Sequence, residues 1–123
     1  MNVDPSRETP LFIQIAASIE DDIFTGVYQV GDRVPSTNEV AALFGINPHT
    51  VLKGVNILVD EGIIHKRRGM GMYVSDGALE KIRAKRQEAF AEHYVDSLVA
   101  EARKLGMTKE QVMSLVEKGL DHE

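Results

Sequence analysis

The 123-residue chain contains no cysteine, which excludes disulfides, thiolate metal sites and cysteine nucleophiles together. No apolar run approaches the roughly 20 residues that a bilayer span requires, and the N-terminus lacks the apolar core of a signal peptide. A cytoplasmic protein without membrane contact is therefore expected. Low-complexity tracts and repeats of solenoid period are also missing. Catalytic signals are equally scarce. His49, His65, His93 and His122 are scattered, no HExxH or nucleophile elbow occurs, and Gly69-Met70-Gly71 lacks the strand-to-helix context of a phosphate loop. His93 with Glu92 and Asp96 has a helical spacing open to metal ligation, yet a solvated helical face accounts for the same residues. The expectation is no catalytic residue, no metal and no cofactor.

The informative residues concentrate between Val34 and Val74. Pro35-Ser36-Thr37-Asn38-Glu39 has the pattern of a capping box, with Ser36 able to cap the N3 amide and Glu39 able to reach back to the cap amide. Val40, Ala41, Leu43 and Phe44 supply an apolar face for the ensuing helix, and Gly45 ends it. Asn47 and Pro48 then restart a helix with a favoured cap and a first-turn proline. So short a gap between two helices is the joint of a helix-turn-helix. On the second helix Val51, Val55, Leu58 and Val59 face inward, while Asn47, His49, Thr50 and Lys53 gather toward the open end. Polar groups there can bond base edges or phosphates beside amides that attract anions; the alternative is a cap and a solvated face.

Directly afterwards, Gly62 to Val74 reads as two short β-prone runs around a glycine-flanked turn, with His65, Lys66, Arg67 and Arg68 in succession. Gly69 and Gly71 allow the tip a close approach to another backbone, and Arg67 or Arg68 can enter a minor groove or clamp a phosphate. Charges guarding an exposed strand edge are the competing account. Helix, turn, helix and basic hairpin in this order describe a winged-helix protein that reads duplex DNA.

These segments resemble the DNA-binding domain of bacterial GntR-family transcriptional regulators. The likeness rests on Pro10-Leu11-Phe12-Ile13-Gln14-Ile15, Gly31-Asp32-Arg33-Val34-Pro35-Ser36, Gly45-Ile46-Asn47-Pro48-His49-Thr50-Val51, Glu61-Gly62-Ile63-Ile64 and Arg67 to Val74, in that order. Asn47-Pro48-x-Thr50-Val51, with so short a C-terminal region, is similar to the YtrA-type subfamily. The resemblance implies a homodimer on a pseudo-palindromic operator, a repressor role, and DNA contacts from Arg33, Ser36, Asn38, Asn47, His49, Thr50, Lys53, Arg67, Arg68 and Gly69. It leaves room for a small-molecule effector. Two departures stand out: Thr37-Asn38 replaces the family's frequent Glu-Arg, and Leu52 stands where a basic residue is common. Both remove a bidentate guanine reader.

Net charge of −5 opposes binding to a polyanion at long range. Residues 1 to 77 hold six Lys or Arg (Arg7, Arg33, Lys53, Lys66, Arg67, Arg68) against ten acids, so that stretch is itself negative by four. Distribution decides the matter. Glu20, Asp21, Asp22, Asp60 and Glu61 lie away from the expected contact elements, which hold five of those six cations. A screening length of about 8 Å at physiological salt makes local phosphate contacts matter more than remote acids. The competing function is a winged-helix module that binds protein rather than DNA.

The fold class expected is α+β, mainly α: a winged helix-turn-helix domain over residues 1–77 and a two-helix dimerisation region over 78–123, with the reading helix at about 47–59 and the wing at about 63–74. Helix one, from about Pro10 to Thr25, carries Phe12, Ile15, Ala16, Ile19 and Ile23 in one stripe. Met1 to Thr9 reads either as a frayed arm or as a segment packed on a partner subunit. An almost continuous helix is expected from Ala78 to about Leu105, with Leu79 and Ile82 as sparse apolar positions. Thr108 to Gln111 forms a second capping box before a last helix. Phe90, Tyr94, Leu98, Val99, Leu105, Val112, Leu115 and Val116 are the expected dimerisation residues, because two short helices cannot bury such faces alone.

Overall fold

A computed structural model describes residues 1–122. Its elements are α1 (Leu11–Phe24), α2 (Thr37–Phe44), α3 (Pro48–Asp60), β1 (Ile64–Arg67), β2 (Gly71–Val74), α4 (Ala78–Phe90), a π-helical turn (Ala91–Val95), α5 (Asp96–Lys104) and α6 (Lys109–Asp121). The chain divides into two compact units, Met1–Ala84 and Lys85–Glu123.

The first unit is a winged helix. Ile15, Ile19 and Ile23 of α1 meet Val51, Val55 and Leu58 of α3, and Val34, Val40, Ile63, Ile64 and Val74 complete the buried core. Gly54 lets the two helices close on each other, since a Cβ there would stand 2.5 Å from the Phe12 carbonyl oxygen. The strands pair antiparallel from Ile64↔Val74 to Arg67↔Gly71. A third extended segment joins them that the sequence pattern does not announce: Arg33 bridges Tyr73, the Val34 amide donates to Met72 O, and the Val74 amide donates to Asp32 O. The wing is thus pinned along β2 by the chain that leads into α2.

Several sequence expectations change. Leu43, assigned to the apolar face of α2, is 77% exposed; an eight-residue helix offers only Val40 and Ala41 to the core, with Phe44 half-buried. Phe12 is half-buried at the edge of the α1 stripe. The division between units falls after Ala84, not at Gly77, because Ala78 and Ile82, one helical turn apart, are wholly buried with the winged-helix core. The helix expected to run from Ala78 to Leu105 is interrupted by the π turn at Ala91–Val95, where the Ser97 hydroxyl donates to the His93 carbonyl. An inserted π turn adds about one residue to the helix and so rotates the next segment by roughly 100° relative to an uninterrupted α-helix. Phe90, just before this turn, and Tyr94, within it, have ring centres 5.3 Å apart.

The N-terminal segment is neither frayed nor free. Gln14, 3% exposed on α1, donates from Nε2 to the carbonyls of Asp4 (2.9 Å) and Thr9 (2.7 Å) and accepts the Asp4 amide at Oε1 (2.8 Å). Met1 and Val3 pack against the core beside it. Gln14→Ala leaves those backbone groups without partners, at about 1–3 kcal/mol for a buried group. Limited proteolysis is expected to remove the first nine residues of this variant while sparing them in the unaltered protein.

Candidate nucleic-acid interface

The N-terminus of α2 is built as the capping box requires. The Ser36 hydroxyl accepts the Glu39 amide at 3.0 Å, and the Glu39 carboxylate accepts the Ser36 amide at 3.2 Å. The same carboxylate accepts from the Arg33 guanidinium at 2.8 Å. That guanidinium, followed by the Ser36 amide, holds the Glu39 carboxyl below its ordinary value. Arg33 is therefore anchored rather than loose, but it keeps other donors and half its surface in solvent. Gly71 gives it room, since a Cβ there would lie 3.0 Å from Arg33 Nε. Ser36 retains its hydroxyl proton, and exposed Asn38 makes no side-chain hydrogen bond among the described residues.

On α3, Asn47 caps the helix by accepting the His49 amide at 2.9 Å. Thr50 is half-buried, whereas His49, Leu52, Lys53 and Asn56 are exposed. Their spacing of i, i+3, i+4 and i+7 defines one helical face, opposite Val51, Val55 and Leu58. Asn56 belongs to this face although it lies beyond the N-terminal end of the helix, where the sequence places the polar cluster. The i+3 step from Lys53 and the i+7 step from His49 are the sequence signal that puts it there. Lys53 Nζ sits 4.1 Å from the centre of the Phe12 ring, a cation–π contact to α1.

In the wing, Arg67 O accepts the Met70 amide at 2.9 Å, which closes the tip, and Gly69 takes φ of +74° within it. The Lys66 and Arg68 side chains make no hydrogen bond or ion pair among the described residues. Arg67 instead lies with its guanidinium carbon 4.3 Å from the centre of the Tyr73 ring. Arg33, Ser36 and Glu39 are brought together at the base of the wing, while His49, Lys53 and Asn56 form a separate face of α3.

In the second unit, Phe90, Tyr94, Leu98, Val99, Leu105, Leu115 and Val116 are exposed, and Val112 is half-buried. Tyr94 and Leu115 each retain 60% of their surface. An open groove of about 230 Å³ between α5 and α6 is lined by Leu98, Leu105, Val112, Leu115 and Val116 among others. No described residue of this unit is buried, so its apolar faces lack a cover among the described residues. Among the described residues, no helix is long and apolar enough to cross a membrane, and no group of His, Asp and Glu could hold a metal ion.

Residues 12–74 match the model of the family described as bacterial regulatory proteins, gntR family. The chain is similar to the HTH-type transcriptional repressor YtrA of Bacillus subtilis, 37% identical over 78 residues, which are 63% of this chain and 60% of that protein. The matched part thus spans less than two thirds of that relative's length. A GntR family transcriptional regulator from Listeria monocytogenes has a similar structure, with a TM-score of 0.67 and 30% identity over 94% of this chain and 97% of that one. The structure of AraR(DBD) in complex with operator ORX1 matches with a TM-score of 0.54 and 27% identity, over 61% of this chain and 93% of that one.

Proposed function

The chain belongs to the gntR family of bacterial regulatory proteins, and from that premise we propose that it is a YtrA-type transcriptional repressor binding a pseudo-palindromic duplex operator as a homodimer. α3 enters the major groove with His49, Lys53 and Asn56, and the wing places Arg67, Arg68 and Gly69 on the minor groove or its phosphates. The observation that carries this reading is the split character of α3. One face is sunk in the core, and the other presents polar groups and a cation at helical spacing beside a helix N-terminus. Similarity to a repressor and to an operator-bound domain supports it.

The homodimer is supported by the uncovered apolar faces of α5 and α6, which a second copy would bury through a two-fold contact. Two α3 helices about 34 Å apart then meet successive major grooves. A ligand that alters the packing of these helices changes that spacing, which is how an effector would act.

Binding to a duplex from upstream of the chain's own gene, titrated across a salt series, tests the reading. A steep fall of affinity with salt is expected. A slope near zero assigns the winged helix to a protein partner instead. His49→Ala or Asn56→Ala is expected to cost about 1–3 kcal/mol on the preferred duplex and to relax discrimination against altered ones. Arg68→Ala is expected to weaken all duplexes alike and to lower the salt slope by about one unit.

A further inference from the structure

We propose that His65, Tyr73 and Ser75 are positioning residues that hold Arg67 in one direction at the wing, so that Arg67 and Arg68 contribute to DNA binding in different ways. The proposal rests on the DNA-binding reading above and specifies how that site works.

His65 and Tyr73 face each other across the two strands as register partners. Arg67 lies two residues beyond His65 and therefore on the same face of β1. There its guanidinium stacks on the Tyr73 ring at 4.3 Å, and its Nε donates to His65 Nε2 at 3.4 Å. Arginine has no acceptor, so His65 Nε2 must supply the lone pair and Nδ1 must carry the imidazole proton. Nδ1 then donates to the Ser75 hydroxyl oxygen, which stands 2.9 Å away. Ser75 is itself fixed by its amide, which donates to Ile63 O at 2.9 Å.

The ring is held at its other end too. Tyr73 OH donates to Met70 O at 3.1 Å, and this tip carbonyl belongs to the turn that Arg67 opens. Tyr73 also bridges Arg33, so the platform stands on the strand that is paired on both sides. A planar guanidinium stacked on a fixed ring and bonded through Nε keeps its terminal nitrogens free and aimed. Less freedom is lost when such a group meets DNA. Arg68, one residue on, has no such platform and meets the duplex as a mobile charge.

The test is a set of double-mutant cycles on a duplex that the unaltered protein selects from a randomised pool. Tyr73→Leu and His65→Ala are each expected to weaken binding about three- to ten-fold, on the scale of an exposed-to-buried cation–π contact. Tyr73→Phe keeps the ring and is expected to bind within about two-fold of the unaltered protein. In the Arg67→Ala background, Tyr73→Leu and His65→Ala are expected to add less than about two-fold, whereas in the Arg68→Ala background their full effect persists. Losses that stay additive with Arg67→Ala would mean that the platform residues act on the fold alone, and the proposal falls while the DNA reading stands. Failure of the unaltered protein to enrich any duplex overturns both.

Discussion

Gly54→Ala is expected to destabilise the winged-helix unit by about 2 kcal/mol, even though alanine in a helix interior ordinarily gains about 0.5–1 kcal/mol over glycine. The reason is the position of the new methyl. It would lie 2.5 Å from the carbonyl oxygen of Phe12 and 3.2 Å from Ile15 Cβ. The first is a backbone atom in the opening turn of α1, and it cannot swing aside as a side chain tip would. Relief requires α1 and α3 to part, and that pair forms the most extensive interface between elements of this unit. Overpacking of this kind typically costs about 1–3 kcal/mol, which exceeds the helical gain.

Gly119→Ala supplies the matching control. Gly119 lies in α6, and nothing stands within 4 Å of where its Cβ would be. The same exchange should there give only the helical gain, about 0.5–1 kcal/mol. Urea denaturation of each variant, followed by far-UV circular dichroism, reads the two signs. A Gly54→Ala protein as stable as the unaltered one would show that α1 and α3 tolerate separation, and the close approach would then not be a constraint on the core.

The reach of the sequence reading is set by which signals are local. Both capping boxes, at Ser36 and Thr108, appear as expected because each is decided within four residues. The hairpin and the inward face of α3 are likewise local, carried by glycines and by helical spacing. Features that depend on distant partners were not legible. Nothing in residues 31–34 announces a strand, since its pairing is supplied by Met72 to Val74, about forty residues on. Gln14 reads as one polar residue in an amphipathic helix until the carbonyls of Asp4 and Thr9 are found beside it. Gly77 has the positive φ of a turn and resembles a linker, yet the helix after it returns Ala78 and Ile82 to the core.

Within the candidate site the same rule separates the side chains whose surroundings are legible in the sequence from those whose surroundings are not. His49, Lys53 and Arg68 are recognisable because their charge or polarity is exposed and, among the described residues, unengaged by side-chain hydrogen bonds. Asn47 makes the capping bond to the His49 amide that its place before Pro48 predicts, whereas the bond of Arg33 to Glu39 is one that only the fold reveals. Tyr73 lies in the second β-prone run, and its place under Arg67 is a consequence of strand register.

Cutting the chain after Ala84 is expected to lower affinity for a two-half-site operator about 10²–10⁴-fold while leaving the remaining unit folded. Folding and the proposed pairing are separable here. The described residues from Lys85 onward contribute no buried side chain to the winged-helix core, so removal of this segment should leave its melting transition in place. On the proposed homodimer the loss is that of the second subunit: each half-site would then be bound alone, without the effective concentration that pairing supplies. Fewer phosphates are neutralised per binding event, so the salt slope should fall to about half. Cutting after Gly77 is a different experiment. It also takes away Ala78 and Ile82, both wholly buried. Loss of one large core aliphatic alone costs about 2–5 kcal/mol, enough to unfold a marginal domain. Analytical ultracentrifugation, thermal melting and operator titration of the two truncated proteins distinguish these cases. If the protein ending at Ala84 is monomeric and folded yet binds the full operator as tightly as the whole chain, dimerisation through α5 and α6 has no part in recognition.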